Sequence, residues 1–228
     1  MERPRPGIFR SAAENEADDR ELLRVGAPAV RTAVLTDRSL SIGVGVREGD
    51  PMVVRARGVG MTVLRRSSGG TGVVHAPGDV AWAVVLPRDD RRRGPDLSAA
   101  YDRLGRGAAD VYRTRGFEAA WLPSPGRSER CCLLGYRGRA LSVGGRVVGG
   151  AAQHLTGRAL LHHGVLPFEV DRAAHGTLFG LEPGDVELLA GTNDFGFGIP
   201  SEELALELRK RILGSLGIPD DRHDGDGR

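Results

Sequence analysis

The residues best suited to holding a ligand lie in one short stretch, residues 65–75, which reads RRSSGGTGVVH. Its three glycines, Gly69, Gly70 and Gly72, allow backbone N–H groups to approach a ligand without interference from a Cβ atom. The two arginines at its start add positive charge and a planar fork of donors. A tight structural hairpin explains the same composition, because glycine and serine are favoured in turns for backbone reasons.

Two familiar phosphate-binding loops do not fit this stretch. A P-loop requires a Gly-Lys pair, and the only lysine of the chain is Lys210. A dinucleotide-binding Rossmann fingerprint requires a helix directly after its glycines, whereas VVH and a further strand-like run follow here. The glycine stretch therefore serves another class of site, or it is purely structural.

Length and composition limit the classes of protein that remain. The chain has 228 residues, 40% of them hydrophobic, and a formal net charge of only +2, which gives no argument for a nucleic-acid partner. No apolar run approaches a membrane span, and the N-terminal MERPRPGIFR lacks the apolar core of a signal peptide. The cysteines, Cys131 and Cys132, are adjacent and too few for a disulfide framework, so we expect a cytoplasmic protein without a membrane partner.

Hydrophobic periodicity predicts an α+β protein with a single domain, in which helices flank a mixed, mostly antiparallel sheet. Helices are expected over residues 11–25 with Ser11 as the cap, over 96–115, and over 201–213 with Ser201 as the cap. Strands are expected over residues 30–36, 40–46, 59–66, 72–75, 80–86, 132–136, 139–143, 146–155 and 158–165, with 72–75 and 80–86 forming a hairpin. We expect a flexible N-terminus over residues 1–10, the folded domain over 11–218 and a disordered tail over 219–228.

Several blocks of the sequence, in the correct order, resemble one known family. Residues 65–79, RRSSGGTGVVHAPGD, resemble the R-R-x-[ST]-G-G-G-x-V-x-H-D-x-G-[DN] loop of the lipoate–protein ligase and octanoyltransferase family. Thr71 stands at its usual third glycine and Ala76 at its usual aspartate. Residues 145–153, GRVVGGAAQ, resemble the family's G-[RK]-K-[IV]-x-G-[SN]-A-Q block, and LLHHGVL at 160–166 resembles the strand that follows it. The resemblance covers most of residues 10–170 and implies a biotin/lipoate-transferase-like catalytic domain.

This resemblance implies protein lipoylation, the transfer of an octanoyl or lipoyl group to a lysine of a lipoyl carrier domain. The acceptor would be a glycine cleavage H protein or the E2 subunit of a 2-oxoacid dehydrogenase. The donor stays open: a thioester of acyl carrier protein needs no cofactor, whereas a ligase uses free lipoate or octanoate with ATP and Mg²⁺. The residues implied in binding the acyl group or its adenylate are Arg66, Ser68, Gly69, Gly70, Thr71, Gly72, His75, Gly149, Gly150, Ala152, Gln153, His163 and Gly164.

The family's signature lysine is absent, and Val147 occupies its position in the second block. Loss of one electrostatic group of this kind costs roughly 10²–10³ in rate. Arg139 and Arg158 are alternative sources of charge. Three interpretations remain open: a transferase with a relocated charge, a ligase-like protein with another substrate or a partner that completes its site, and a non-catalytic homologue that binds the acyl group or the carrier.

Cys132 is the candidate nucleophile of a thioester mechanism. One branch of octanoyltransferases carries a cysteine at a similar place before the lysine block, which implies a thiolate that accepts the acyl group and passes it on. Arg127 and Arg130 are close in sequence and would favour the thiolate. Alternatively, Cys131 and Cys132 are small buried hydrophobic residues, as is common for free cysteine.

No metal site is expected from the histidine pair His162-His163. The pair does not match a zinc-binding spacing, and adjacent residues of a strand point to opposite faces of the sheet.

Overall fold

The computed structural model describes residues 8–220, and within this range seven α-helices flank two β-sheets. The helices are α1 (Ala12–Val25), α2 (Pro51–Gly58), α3 (Leu97–Leu104), α4 (Arg106–Arg113), α5 (Arg172–Phe179), α6 (Pro183–Val186) and α7 (Ser201–Leu216). The strands are β1 (Phe9–Arg10), β2 (Ala29–Leu35), β3 (Ser39–Ile42), β4 (Thr62–Arg65), β5 (Gly72–His75), β6 (Val80–Pro87), β7 (Ala119–Pro123), β8 (Arg139–Val143), β9 (Arg146–Leu155) and β10 (Ala159–Leu166). The predicted α+β class, with a mostly antiparallel sheet between helices, is confirmed.

The larger sheet has seven strands in the order β1-β2-β6-β10-β9-β8-β7, and only its β1–β2 pair is parallel. Strand β6, VAWAVVLP, is buried over almost its whole length, as its apolar residues on both faces predict. The smaller sheet has the order β4-β3-β5, with β3 and β4 parallel. Residues 66–71, here called the glycine turn, connect β4 to β5 in this smaller sheet.

Two large apolar clusters hold these layers together, and a smaller one packs α1 against the larger sheet. The first packs the larger sheet against α3, α4 and α7 and includes Trp82, Leu104, Tyr112 and Leu208. The second packs the smaller sheet against α2 and α5 and includes Leu40, Met52 and Leu178. Apolar area removed from water contributes about 25 cal/mol per Å², so these clusters supply most of the driving force for folding.

Helix α1 is defined at both ends by its own residues. Ser11 and Glu14 form a capping box, and Gly26 ends the helix in the left-handed conformation with φ 71°. The buried face of this helix carries two acids, Glu16 and Asp19, rather than only apolar residues. Buried carboxylates require partners, and those partners belong to the site described below.

Two predictions of local structure are wrong because partners distant in sequence override local signals. Strands β5 and β6 do not form a hairpin: β5 pairs with β3, whereas β6 pairs with β2 and β10. The predicted helix over residues 96–115 is two helices, because the Gly105 carbonyl between them accepts a hydrogen bond from Trp121 Nε1 at 2.9 Å. A Cβ atom on Gly105 would lie only 2.5 Å from that nitrogen.

Other predicted elements differ in extent or type. The strand expected over 132–136 is a 3₁₀ turn at Cys132–Leu134, preceded by a Ser128 hydroxyl that accepts the N–H of Cys131. The strand expected over 40–46 ends at Ile42, since Gly43 packs directly on the Gly70 carbonyl. Helix α7 has no side-chain cap, and Ser201 is its first residue. Helices α2, α5 and α6 were not predicted, although Asp50 before Pro51 is an N-cap signal.

The expected flexible N-terminus at 1–10 and disordered tail at 219–228 fall mostly outside the described residues. Where the structure describes them, Phe9 and Arg10 form β1 beside β2, and Asp220 makes an ion pair with Arg209 at 2.9 Å.

Candidate functional site

A pocket of about 330 Å³ lies between the glycine turn and the larger sheet. Ligand pockets for small molecules span about 300–1,000 Å³. Its walls come from α1, the glycine turn, β5, β6, α3, the 3₁₀ turn at Cys132, β9 and β10. The predicted site residues that line this pocket are Arg66, Gly69, Gly70, His75, Cys132, Gly150, Ala152, Gln153, His163 and Gly164.

The Arg66 guanidinium is buried under the glycine turn and contacts the candidate nucleophile. It donates to the carbonyls of Ser41 at 3.0 Å and Gly69 at 2.7 and 3.1 Å, and its Nη2 atom lies 3.9 Å from Cys132 Sγ. Burial lowers the Arg66 pKa, and attraction to Cys132 and Glu16 acts in the opposite direction. An arginine keeps its charge at neutral pH even so, so the pocket holds a permanent cation beside the thiol.

Gly70 makes this contact possible. Its φ of +92° is in the left-handed region. A Cβ atom there would lie 2.6 Å from Arg66 Nη2 and 2.9 Å from Cys132 Sγ. The backbone of Gly70 therefore touches both groups, and any side chain would push them away.

The two cysteines have different environments. Cys131 is fully buried in the second apolar cluster, and burial raises the pKa of its thiol to about 12. Cys132 is half-buried and faces the pocket. The alternative interpretation, a small buried hydrophobic residue, therefore fits Cys131, while the setting of Cys132 is that of an accessible thiol beside a cation. Arg130, expected to favour the thiolate, instead contacts Asp50 at 3.3 Å.

A chain of buried hydrogen bonds runs beneath the glycine turn. Ser68 Oγ lies 2.6 Å from His163 Nε2, and His163 Nδ1 lies 2.7 Å from Asp19 Oδ2. Asp19 also forms an ion pair with Arg31. Burial opposes ionisation of Asp19, but Arg31 and His163 outweigh it and lower the pKa of that carboxyl.

His75 and Asp79 follow the glycine turn in the chain. Burial lowers the pKa of His75 to about 3, so this pocket residue is neutral at physiological pH. Burial raises the pKa of Asp79 to about 7, although its carboxylate accepts the N–H groups of Ala76 and Phe168. Asp79 closes the turn between β5 and β6 and does not line the pocket.

Glycines on β9 and β10 form the opposite wall. A Cβ atom on Gly164 would lie 2.5 Å from the Gly150 carbonyl and 2.8 Å from the Trp82 ring, and one on Gly150 would lie 2.6 Å from Leu133. Both positions therefore keep the wall flat and let Trp82 and Leu133 line the pocket. Gln153 Nε2 donates to the Leu97 carbonyl at 3.2 Å, which ties this wall to α3.

Four predicted binding residues do not line the pocket. The Ser68 side chain is fully buried, and a Cβ atom on Gly149 would lie 2.7 Å from the Val165 carbonyl, so β9 packs closely there. Thr71 faces a separate groove beside the loop that follows β3. The Gly72 N–H bonds the Arg130 carbonyl at 2.8 Å. These residues shape the glycine turn and β9 instead of contacting the pocket.

Val147 does not line the pocket either. Its side chain is buried in the second apolar cluster, and its N–H bonds the Leu188 carbonyl at 2.7 Å. Of the two alternative cations, Arg158 packs against Gly26, while Arg139 lines the pocket. Arg139 is bound by the Asp102 carboxylate at 2.8 Å and by the Trp121 carbonyl. Arg66 is therefore the predicted site residue that brings a positive charge to the thiol.

Sequence reasoning missed several residues that build this site, among them Asp19, Trp82 and Tyr101. A signal for Asp19 was present, because Asn15, Glu16 and Asp19 share one face of α1 at three- and four-residue spacing. Trp82 had no such signal, since a tryptophan in a buried strand is first of all a core residue.

The carboxylates in the pocket do not fit a magnesium ion. Glu16, Asp19 and His163 bring ligand atoms within 4.8 Å of one another. Each is already engaged: Glu16 by the Ser67 N–H and Arg20, Asp19 by Arg31, and His163 by Ser68 and Asp19. Magnesium requires free oxygen ligands in near-octahedral geometry, which this arrangement does not offer.

Residues 38–183 match the model of the lipoyl protein ligase A/B catalytic domain, and that range is more than half of the chain. The chain belongs to this family. Among its relatives is octanoyltransferase LipM of Staphylococcus epidermidis, which is 27% identical over 156 residues that cover 63% of this chain and 55% of the relative. Another is octanoyl-[GcvH]:protein N-octanoyltransferase of Kyrpidia tusciae, 31% identical over 185 residues, or 76% of this chain and 58% of the relative. The chain thus spans little more than half the length of either.

Solved structures support the lipoyl ligase fold. Lipoate-protein ligase A bound with ATP has a TM-score of 0.73 and 21% identity, with 93% of this chain and 86% of that chain covered. Protein Ta0514 of T. acidophilum with bound lipoic acid has a TM-score of 0.74 and 21% identity, with 96% and 87% covered. No helix among residues 8–220 is long and apolar enough to cross a bilayer.

Proposed function

We propose that this lipoyl ligase family member is an octanoyltransferase that uses Cys132 as its nucleophile and forms a covalent acyl-enzyme. The observation that carries this proposal is the half-buried Cys132 thiol in the pocket, with Arg66 Nη2 at 3.9 Å and Gly70 against both. Octanoyltransferase relatives of similar sequence support the choice of reaction.

The reaction proceeds in two transfers. First, the Cys132 thiolate attacks the carbonyl of an acyl thioester on acyl carrier protein. A new S–C bond forms, and the carrier's thiolate leaves and takes up a proton. Second, the amine of an acceptor lysine attacks the acyl-Cys132 carbonyl. The C–S bond breaks, the nitrogen loses a proton, and the amide product leaves with Cys132 regenerated.

Arg66 supplies the electrostatic stabilisation that Val147 lacks. A guanidinium within 4 Å of the sulfur stabilises the attacking thiolate, and its hydrogen bonds to the Ser41 and Gly69 carbonyls hold it in place. One such group contributes roughly 10²–10³ in rate. The positive charge then comes from the glycine turn instead of from β9. This corresponds to the first interpretation given above, a transferase with a relocated charge.

The remaining pocket residues suit a medium-length acyl chain. The residues that face the chain are largely apolar, among them Leu35, Val73, Trp82, Leu133 and Val165. Burial of each CH₂ group contributes about 0.8 kcal/mol, so an octanoyl chain gains substantial binding energy from these walls. His75, neutral because of its burial, adds a polar group without a competing charge.

The acyl donor and acceptor follow from the same chemistry. A thiol nucleophile requires an activated thioester and no ATP, and the engaged carboxylates at the pocket do not fit Mg²⁺. We therefore infer acyl carrier protein as donor and a lipoyl carrier domain, either glycine cleavage H protein or an E2 subunit, as acceptor. A working thiol stays reduced in the cytoplasm, which is the location we propose.

A non-catalytic binding protein is the second candidate function, and Val147 is the observation that favours it. Its side chain is sealed in an apolar cluster, so strand β9 offers no catalytic amine. The pocket alone would bind the acyl group or an acylated carrier without turnover.

Intact-mass measurement separates these functions. The protein is incubated with octanoyl–acyl carrier protein and an apo lipoyl domain, and in parallel with octanoate, ATP, Mg²⁺ and the same acceptor. An octanoyl adduct on the protein and octanoylated acceptor in the first reaction support the proposal, provided that Cys132→Ser abolishes both. Cys131→Ala is the matched control and retains transfer. Product only in the second reaction would identify a ligase, and product in neither would favour the binding protein.

A further inference from the structure

The buried hydrogen-bond chain from Asp19 to Ser68 begins at an ionised carboxylate. Asp19 is ionised, because its pairing with Arg31 and His163 outweighs the effect of burial on its pKa. An ionised carboxylate only accepts hydrogen bonds, so His163 Nδ1 carries a proton and donates to it. The other ring nitrogen, Nε2, shares a hydrogen bond of 2.6 Å with the Ser68 hydroxyl.

The order Ser68–His163–Asp19 is that of a serine hydrolase triad, but its position rules out that role. The Ser68 side chain has no exposed surface and does not line the pocket. A nucleophile must reach the carbonyl it attacks. The chain of bonds therefore acts on the protein itself, at the glycine turn that Ser68 belongs to.

The residue after Ser68 connects this chain to the thiol. The Gly69 carbonyl accepts two hydrogen bonds from Arg66, and Nη2 of the same guanidinium lies 3.9 Å from Cys132 Sγ. Any movement of the turn at Ser68 would shift the Gly69 carbonyl and with it the guanidinium. A displacement of about 1 Å at a reacting group costs up to about 10²-fold in rate.

Helix α1 holds the same turn at two further points. Glu16 accepts the backbone N–H of Ser67 at 2.7 Å, and Arg20 donates to the Arg65 carbonyl at 2.6 Å. With Asp19, which acts through His163, three residues of α1 thus act on Arg65, Ser67 and Ser68. These contacts account for the two buried acids of the helix, Glu16 and Asp19.

We propose that Asp19, His163 and Ser68 are positioning residues that hold the glycine turn so that Arg66 remains against the Cys132 thiol. The proposal rests on the proposed function in taking Cys132 as the nucleophile. It adds three residues that do not touch the reacting atoms, and it predicts that their effect on the thiol passes through Arg66.

Alkylation of Cys132 by iodoacetamide tests this without any acyl donor or carrier. Rates are measured by peptide mass across pH 6–9 for the wild type, Arg66→Met, Asp19→Asn and His163→Gln. We expect the last two variants to slow alkylation at pH 7 by about 10- to 100-fold, as Arg66→Met does, and to shift the pH–rate profile in the same direction. Glu21→Gln is the matched control, since Glu21 is an acid of the same helix that pairs with Arg24 at 2.7 Å. It should alkylate at the wild-type rate.

A pair of isosteric variants at Ser68 separates positioning from packing. Ser68→Thr and Ser68→Val add about the same volume, but only threonine keeps a hydroxyl that can bond His163. We expect Ser68→Thr to alkylate faster than Ser68→Val by about tenfold or more, the value of one hydrogen bond to a positioned group. Equal rates for the two would overturn the proposal, as would wild-type rates in Asp19→Asn and His163→Gln while Arg66→Met is slow.

These outcomes are distinct from failure of the proposed function. If the protein shows this alkylation pattern but no transferase activity, the positioning proposal stands and only the proposed function fails. A wild-type alkylation rate in Arg66→Met would overturn the proposal, because the chain would then have no cation to position.

Discussion

Nη2 of Arg66 and Sγ of Cys132 lie 3.9 Å apart, and the backbone of Gly70 contacts both. These two side chains come from different parts of the chain, one from the end of β4 and the other from a 3₁₀ turn before β8. Their contact gives the pocket a cation at the thiol although the position of the family's lysine holds valine.

Gly70→Ala should disrupt this contact. Alanine at φ +92° is strained, and its methyl group would lie 2.6 Å from Arg66 Nη2. We expect the free energy of unfolding to fall by about 1–3 kcal/mol and octanoyl transfer to fall by about 10² or more. Urea denaturation and the intact-mass assay measure the two effects. Gly69→Ala is the control, because a Cβ atom there meets nothing within 4 Å; equal loss in both variants would contradict this account.

Selective labelling should distinguish the adjacent cysteines. Cys131 is fully buried and its thiol has a pKa of about 12, so it remains protonated and inaccessible between pH 6 and 9. We expect iodoacetamide to modify Cys132 alone in the folded protein and both cysteines in 6 M guanidinium chloride. Peptide mass mapping gives the site. Modification of Cys131 under native conditions at a comparable rate would show that the second apolar cluster opens readily.

Trp82 should limit the length of the acyl chain. It is buried, it lines the pocket, and the glycine at position 164 allows its ring to lie flat against β10. Trp82→Leu removes part of this wall, so we expect a shift in preference from octanoyl towards longer acyl groups, with a loss of roughly 2–4 kcal/mol in stability. Competition between acyl donors of different length measures the preference.

Trp121→Leu is the matched control for that experiment. Trp121 is also buried, but it faces a groove outside the acyl pocket. It should lose comparable stability and keep the wild-type preference. A change of preference in both variants would mean that general loosening, not pocket length, decides the substrate.

Asp79 should make the protein less stable as the pH rises. Burial raises the pKa of the Asp79 carboxyl from its ordinary value of 3.8 to about 7 in the folded protein. Between these two pH values the folded protein therefore binds more protons than the unfolded chain. The free energy of unfolding therefore falls as the pH increases through this range, by up to about 4 kcal/mol at 1.36 kcal/mol per unit. Asp79→Asn removes the ionisation but keeps an acceptor for only one of the two N–H groups, because Ala76 bonds Oδ2 and Phe168 bonds Oδ1.

The comparison of Asp79→Asn with the wild type at two pH values tests this linkage, because the acceptor that the variant loses affects its stability at every pH. We expect the stability of the variant relative to the wild type to be greater at pH 8 than near pH 4, as measured by urea denaturation. A stability difference that is the same at both pH values would refute the linkage to Asp79.

The sequence predicted the main elements and the glycine turn because their signals are local. The capping box at Ser11, the apolar strand β6 and the motif around Arg66 are each readable within a few residues. Features that depend on distant partners were not readable. The Gly105 break arises from Trp121, and the pairing of β5 with β3 depends on a sheet assembled from three separate segments.

The same limit applies to the site. Two residues of the glycine motif, Gly70 and Arg66, line the pocket, where the backbone of one and the charge of the other lie against Cys132. The role of Asp19 could not be inferred, because its hydrogen-bond partner His163 is on a strand far along the chain. Spacing within a motif carries no information about such a partner.

Asp19 and His163 are separated by 144 positions, yet they share one hydrogen bond. Contacts between residues so far apart carry a high entropic cost of chain closure and form late in folding. During synthesis on a ribosome, the glycine turn emerges long before β10, and its Ser68 lacks the bond to His163 until that strand is made. A partly synthesised or truncated chain therefore has the motif but not the pocket. Its Cys132 thiol would not be competent for acyl transfer before the domain is complete.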